Sequence, residues 1–133
     1  MYPRDKESLM EAKFYRCKNS GKVFTILSGA DKPMCENGNL QLLEAGSVDA
    51  ATEKHVPVVE RNGSQIRVSV GSVEHPMTEE HWIEWIALAT EKSITVHYLT
   101  PEDKPETVFE LAEGEKASVY EYCNLHGLWK TEL

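Results

Sequence analysis

Imidazole and thiolate are the side chains that most readily hold transition metals, and this chain of 133 residues carries five histidines and three cysteines. Four of the histidines have unusual neighbourhoods. They are His55 in Glu53-Lys54-His55-Val56-Pro57, His75 in Val73-Glu74-His75-Pro76-Met77, His81 in Glu79-Glu80-His81-Trp82, and His126 in Tyr122-Cys123-Asn124-Leu125-His126-Gly127. The Cys-x-x-His spacing of Cys123 and His126 lets one thiolate and one imidazole meet the same ion, and His75 and His81 flank one short loop. Any one of these histidines alone is more simply read as a strand-end or solvent-facing residue. Five donors in one small domain point to a metal. Zinc is satisfied by four ligands in a tetrahedron, and blue copper takes two His, one Cys and a weak axial group. Four imidazoles and one thiolate outnumber both sets and suggest a five-coordinate iron with an open sixth position. A non-catalytic iron or copper electron carrier and a structural zinc domain stay open as alternatives.

The segments that must position these donors read as short strands. Asn62-Gly63 between Val56–Glu60 and Ile66–Val70 is a strong hairpin signal. Ile66, Val68 and Val70 alternate with Arg67 and Ser69, giving one buried and one wet face. The run from Trp82 to Leu88 fits a helix or a strand by period, and its aromatic and β-branched content, with the turn at Glu91-Lys92, favours a strand. Ile94–Tyr98, Val108–Leu111 and Ala117–Tyr122 follow, so the pattern from Val48 onward is all strand. Strands at this spacing predict an antiparallel sandwich of the immunoglobulin type. Upstream, Val23–Leu27 and Leu40–Leu43, separated by Gly- and Asn-rich turns, predict a small β module, with a charged arm or a short helix over Ser8–Lys13 before it. Glu44-Ala45-Gly46-Ser47 is the natural linker, dividing the chain into residues 1–46 and 47–133.

A net charge of −8 and a pI near 5.1 argue against nucleic acid as a partner. An anionic substrate would need a local positive patch to overcome that field. No apolar stretch is long enough to span a bilayer, and the first residues show no secretory h-region, so a cytoplasmic location is expected. Three cysteines do not make a disulfide framework.

Three blocks in order, Glu53-Lys54-His55-Val56-Pro57, then His75-Pro76-Met77 with His81-Trp82-Ile83, then Cys123-Asn124-Leu125-His126-Gly127-Leu128-Trp129, resemble the signatures of the desulfoferrodoxin and neelaredoxin family of superoxide reductases. The resemblance covers roughly residues 14 to 133. It implies one iron ion per chain, with His55, His75, His81 and His126 as equatorial ligands and Cys123 as the axial one. It implies an all-β chain, with an immunoglobulin-like antiparallel sandwich preceded by a small desulforedoxin-like module. The activity implied is one-electron reduction of superoxide to hydrogen peroxide, with rubredoxin or a similar small redox protein as electron donor and a homodimeric assembly. Lys54 resembles the lysine that attracts the anion and positions water for proton delivery, and Glu53 the glutamate that can take the sixth position of the oxidised iron. An axial thiolate pushes electron density toward the iron and the position trans to it. Backbone N–H groups of Asn124 and Leu125 are expected as donors to that sulfur. His97 matches no block and reads as a surface residue.

The chain departs from the family in its first module. Where two-iron members carry Cys-x-x-Cys and a Cys-Cys pair, this sequence reads Cys17-Lys18-Asn19-Ser20 and Cys35-Glu36. Two of four thiolates are missing, so no second iron is expected there. Cys17 and Cys35 are read as free thiols in preference to a residual disulfide pair.

Overall fold

The computed structural model describes residues 12–28 and 40–133. The small module is an antiparallel sheet in the order β2-β1-β3, formed by β1 (Phe14–Cys17), β2 (Val23–Thr25) and β3 (Leu40–Leu42). The helix expected over Ser8–Lys13 lies outside the described residues except for Ala12 and Lys13, which are irregular. Cys17 is disulfide-bonded, which corrects the expectation of a free thiol at that position. Cys35 and Glu36 lie outside the described residues.

Beyond Gly46 the chain builds two facing antiparallel sheets. One has the order β4-β5-β8, from β4 (Pro57–Asn62), β5 (Gln65–Val70) and β8 (Glu106–Glu110). The other has the order β10-β9-β6-β7, from β6 (Ile83–Thr90), β7 (Ile94–Tyr98), β9 (Ala117–Cys123) and β10 (Gly127–Glu132). The expected hairpin is β4-β5, closed by Gly63-Ser64 with Asn62 opposite Gln65. Gly63 supplies the positive φ, 65°, that such a tight turn requires. Ile66, Val68, Ile86, Leu88, Phe109 and Val119 meet between the sheets as the sandwich core.

The run that was ambiguous by period is strand β6, and packing explains the ambiguity. Ile86 and Leu88 face the sandwich core, whereas Trp85, Ala87 and Ala89 lie in a second cluster with Phe14, Tyr120 and Tyr122. The small module covers the outer face of this sheet, with the Phe14 ring 5.0 Å from that of Trp85 and 5.2 Å from that of Tyr120. A strand buried on both faces loses the alternation that a half-exposed one shows. One departure from the all-strand reading is α1 (Thr52–His55), a single helical turn before β4. A second concerns His97. It is half-buried, its ring stacks on Phe109 at 4.5 Å and its Nδ1 hydrogen-bonds Thr107 Oγ1, so it bridges the two sheets instead of facing solvent.

Candidate metal centre

Four structural devices at one end of the sandwich bring the expected donors together. The first is α1, whose last residue is His55, 2% exposed. Its placement depends on Gly71, at the end of β5. A Cβ at Gly71 would lie 2.4 Å from the Val73 carbonyl oxygen, 2.7 Å from that of Lys54 and 2.8 Å from that of Glu53. Gly71 also has φ +83°, so only glycine lets the 53–55 turn lie this close to the 71–73 loop. The Val73 N–H donates to the Glu53 carbonyl at 2.9 Å and the Gly71 N–H to Val56 at 3.2 Å, which locks the two segments.

The second device is the 71–82 loop. It presents His75, buried, and His81, half-buried. Reciprocal backbone bonds between Thr78 and His81 at 2.9 and 3.2 Å close a tight turn around the latter. The third is the β9-β10 hairpin. Gly127 lies opposite Cys123, leaving the three-residue loop Asn124-Leu125-His126, and Gly127 takes φ 78°. The left-handed glycine just after the loop turns the chain into β10, and the hairpin brings His126 back beside Cys123. Asn124 then staples hairpin to loop, its Oδ1 accepting the Trp82 N–H at 2.9 Å and its Nδ2 donating to the Glu80 carbonyl at 3.0 Å. The fourth is a bulge in β6 between Ile83 and Trp85, directly across from Cys123. It shifts the inward-facing parity so that both Ile83 and Ile86 reach the core.

The ring nitrogens and the sulfur converge. Candidate ligand atoms of His55, His75, His81 and Cys123 all lie within 4.8 Å of one another. His126 joins them through Nδ1, which is 3.0 Å from His55 Nε2 and 3.9 Å from Cys123 Sγ. The four imidazoles form a closed square. Successive ring centroids His55, His75, His81, His126 and back to His55 are 4.8, 4.5, 5.0 and 4.8 Å apart, with neighbouring planes at 76° to 87°. The diagonal from His55 to His81 is 6.4 Å.

Protonation favours lone pairs pointing into that square. Carbonyl oxygens only accept, so the contacts of His55 Nδ1 to Ala51 O and of His75 Nδ1 to Pro76 O, both 2.7 Å, place the proton on Nδ1 and leave Nε2 bare. The buried Nε2 atoms of His75 and His81 have no hydrogen-bond partner among the described residues, a costly state unless something fills it. Burial pushes His75 down to about 4 and also lowers His55 and His81, so these rings are neutral near pH 7. Burial raises the Cys123 thiol, and backbone N–H groups of Leu125 and His126 oppose that shift by donating to the sulfur. One of the two expected donors is therefore corrected: the Asn124 N–H goes to the Trp82 carbonyl at 3.2 Å, and His126 takes its place. Neutral nitrogens with one sulfur suit a transition metal and not magnesium or calcium, which take oxygen donors.

Two supporting residues carry no role in the sequence reading. Trp129 stacks on His55 at 4.9 Å and 26°, and its Nε1 donates to the His126 carbonyl at 3.0 Å, so one indole holds two donors in place. Glu121 is fully buried, with both carboxyl oxygens unpartnered among the described residues, and burial pushes its pKa well above the usual carboxylate range. Strand alternation through Val119 and Cys123 is the signal that would have placed it inward. Lys54 and Glu53 are exposed on α1 beside His55, and Lys54 lines a surface pocket together with His75.

Comparison with known proteins adds an independent finding. The family model described as Desulfoferrodoxin matches residues 47–132. A desulfoferrodoxin from Syntrophotalea carbinolica is 46% identical over 119 residues, covering 89% of this chain and 94% of that protein. A superoxide reductase from Pyrococcus horikoshii is 38% identical over 105 residues, covering 65% of this chain and 91% of that one. The crystal structure of the superoxide reductase from Treponema pallidum superposes with a TM-score of 0.72 at 38% identity, over 91% of this chain and 98% of its own.

Proposed function

The chain belongs to the desulfoferrodoxin family, and from that premise we propose that it is a superoxide reductase, reducing superoxide to hydrogen peroxide at one iron ion held by His55, His75, His81, His126 and Cys123. The observation that carries this reading is the square of four imidazoles with a buried sulfur beside it. A tetrahedral zinc site would leave one donor idle. When bound, iron supplies a single electron to the substrate and takes one back from an external donor. The balance is one superoxide, one electron and two protons giving hydrogen peroxide, with no dioxygen released.

The protein's own residues supply the rest. Leu125 and His126 N–H groups hold the Cys123 sulfur and spread its negative charge. The Ala51 and Pro76 carbonyls fix which nitrogen of His55 and His75 is available. We assign Lys54 to attracting the anion and ordering water for proton delivery, and Glu53 to a carboxylate that would bind the ion in its oxidised state. Both assignments draw support from their place on the exposed turn that ends in His55.

The same reading carries a division at residues 1–46 and 47–133, supported by the bounds of the family match. It carries a first module without iron, supported by Cys17 being disulfide-bonded and by Ser20 Oγ accepting the Lys22 N–H at 3.3 Å. A rubredoxin-like electron donor, a homodimer and a cytoplasmic location belong to the proposal as well. No described helix is long and apolar enough to cross a membrane.

The test is metal analysis and visible absorption of the oxidised protein beside Cys123→Ser. The parent should hold iron and be coloured by its bound thiolate, and the variant should lose that colour. A colourless parent loaded with zinc would overturn the reading.

A further inference from the structure

Resting on superoxide as the substrate, we propose that Lys104 is a second steering cation, acting with Lys54 across a pocket that leads to the His75 side of the metal centre. A surface pocket of about 300 Å³ is lined by Lys54, Glu74, His75, Asp103, Lys104 and Pro105 among others. Lys54 and Lys104 are fifty residues apart in sequence, and the fold seats both loops on one clamp. The Val70 N–H donates to the Pro105 carbonyl at 2.8 Å, while Gly71 and Val73 donate to Val56 and Glu53 on the other side. Residues 70–73 therefore fix the spacing between the α1 turn and the 100–105 loop. That loop is itself closed, with Thr100 N and Oγ1 donating to Asp103 Oδ2 at 2.7 and 3.1 Å and the Glu106 N–H donating to the Lys104 carbonyl at 2.8 Å.

Charge gives this placement its meaning. The chain carries −8 overall, so a small monoanion is repelled by most of the surface. Two acids share the pocket with the two lysines. Asp103 has a carboxyl oxygen engaged by both Thr100 donors, and Glu74 is exposed. Among the described residues neither Lys54 nor Lys104 makes an ion pair, so both ammonium groups are available to an incoming anion. A pocket of this volume admits a diatomic anion with its water, and its wall includes a proposed ligand ring. Lys104 acts on approach only; it positions no reacting atom.

The experiment is pulse radiolysis of reduced, iron-loaded protein, comparing Lys104→Gln and Lys104→Glu with Lys116→Glu. Lys116 is exposed and directly precedes β9, whose far end is Cys123, about 20 Å away by strand rise. The second-order rate should fall about threefold in Lys104→Glu at low ionic strength, less in Lys104→Gln, and the difference should fade in high salt. Iron content, resting spectrum and peroxide yield should match the parent. Rates equal to the parent, or slowed no more than in Lys116→Glu, would overturn the assignment. A parent that forms no peroxide from superoxide would overturn the functional reading itself, and its own yield tells the two failures apart.

Discussion

His55 and His75 show how a single side chain is prepared for a metal before the metal arrives. Each spends Nδ1–H on a backbone carbonyl and turns a bare, buried Nε2 toward its neighbours. Lys54 stands beside this cluster, and its positive charge already acts on His55 and His81, helping to keep both rings neutral. Replacing Lys54 by Ile should slow the reaction with superoxide by roughly three- to tenfold at low salt and blunt its dependence on ionic strength. Pulse radiolysis checks this, and an unchanged rate removes Lys54 from the approach of the anion. At this scale the sequence is highly informative. All five residues that converge here were nameable from residue type, spacing and block order. The N–H groups reaching the Cys123 sulfur were half legible, because which amide points at the sulfur depends on the φ of Gly127 and on Asn124 being tied to Trp82 and Glu80. Trp129 was missed as a site residue because the His55 ring it stacks on is brought to it only by the tertiary fold.

Among the elements, α1 matters out of proportion to its four residues. A single turn is too short to show helical period, which is why Thr52–His55 reads as part of a strand-rich segment. Its conformation is imposed by the 71–73 loop through Gly71. Gly71→Ala should therefore push the 53–55 turn outward, since the added methyl would meet three carbonyl oxygens within 2.8 Å and sit at a φ that alanine resists. We expect a loss of about 2–4 kcal/mol in stability together with reduced iron loading, read by denaturant melts and metal analysis. Full iron occupancy and parental stability would show that the clamp does not position His55. The β4-β5 hairpin was legible from Asn62-Gly63 because turn chemistry is local. Strand β6 was harder, because the small module covers its second face and erases the alternation.

For the whole molecule, the architecture places a charge-poor, buried donor cluster at the edge of a strongly acidic protein. Burial of neutral histidines has a consequence for the metal-free form. In the unfolded chain a histidine takes up its proton near pH 6.5, whereas His75 in the folded protein holds off until about 4, and His55 and His81 are shifted the same way. Between these values the unfolded state binds more protons, so stability is complete above pH 6.5 and declines as the pH falls toward 4. Chelator-treated protein should melt at a lower temperature at pH 5 than at pH 7.5, and His75→Gln should lessen that difference. Equal melting of the parent at both values would contradict the burial of neutral rings.

The most direct test mixes anaerobically reduced, iron-loaded protein with a known amount of superoxide and follows hydrogen peroxide and dioxygen together. The account predicts peroxide equal to the superoxide consumed, oxidised protein and no dioxygen. Dioxygen released alongside peroxide would make the reaction a dismutation, and superoxide decaying no faster than in buffer would leave the metal centre without the proposed chemistry.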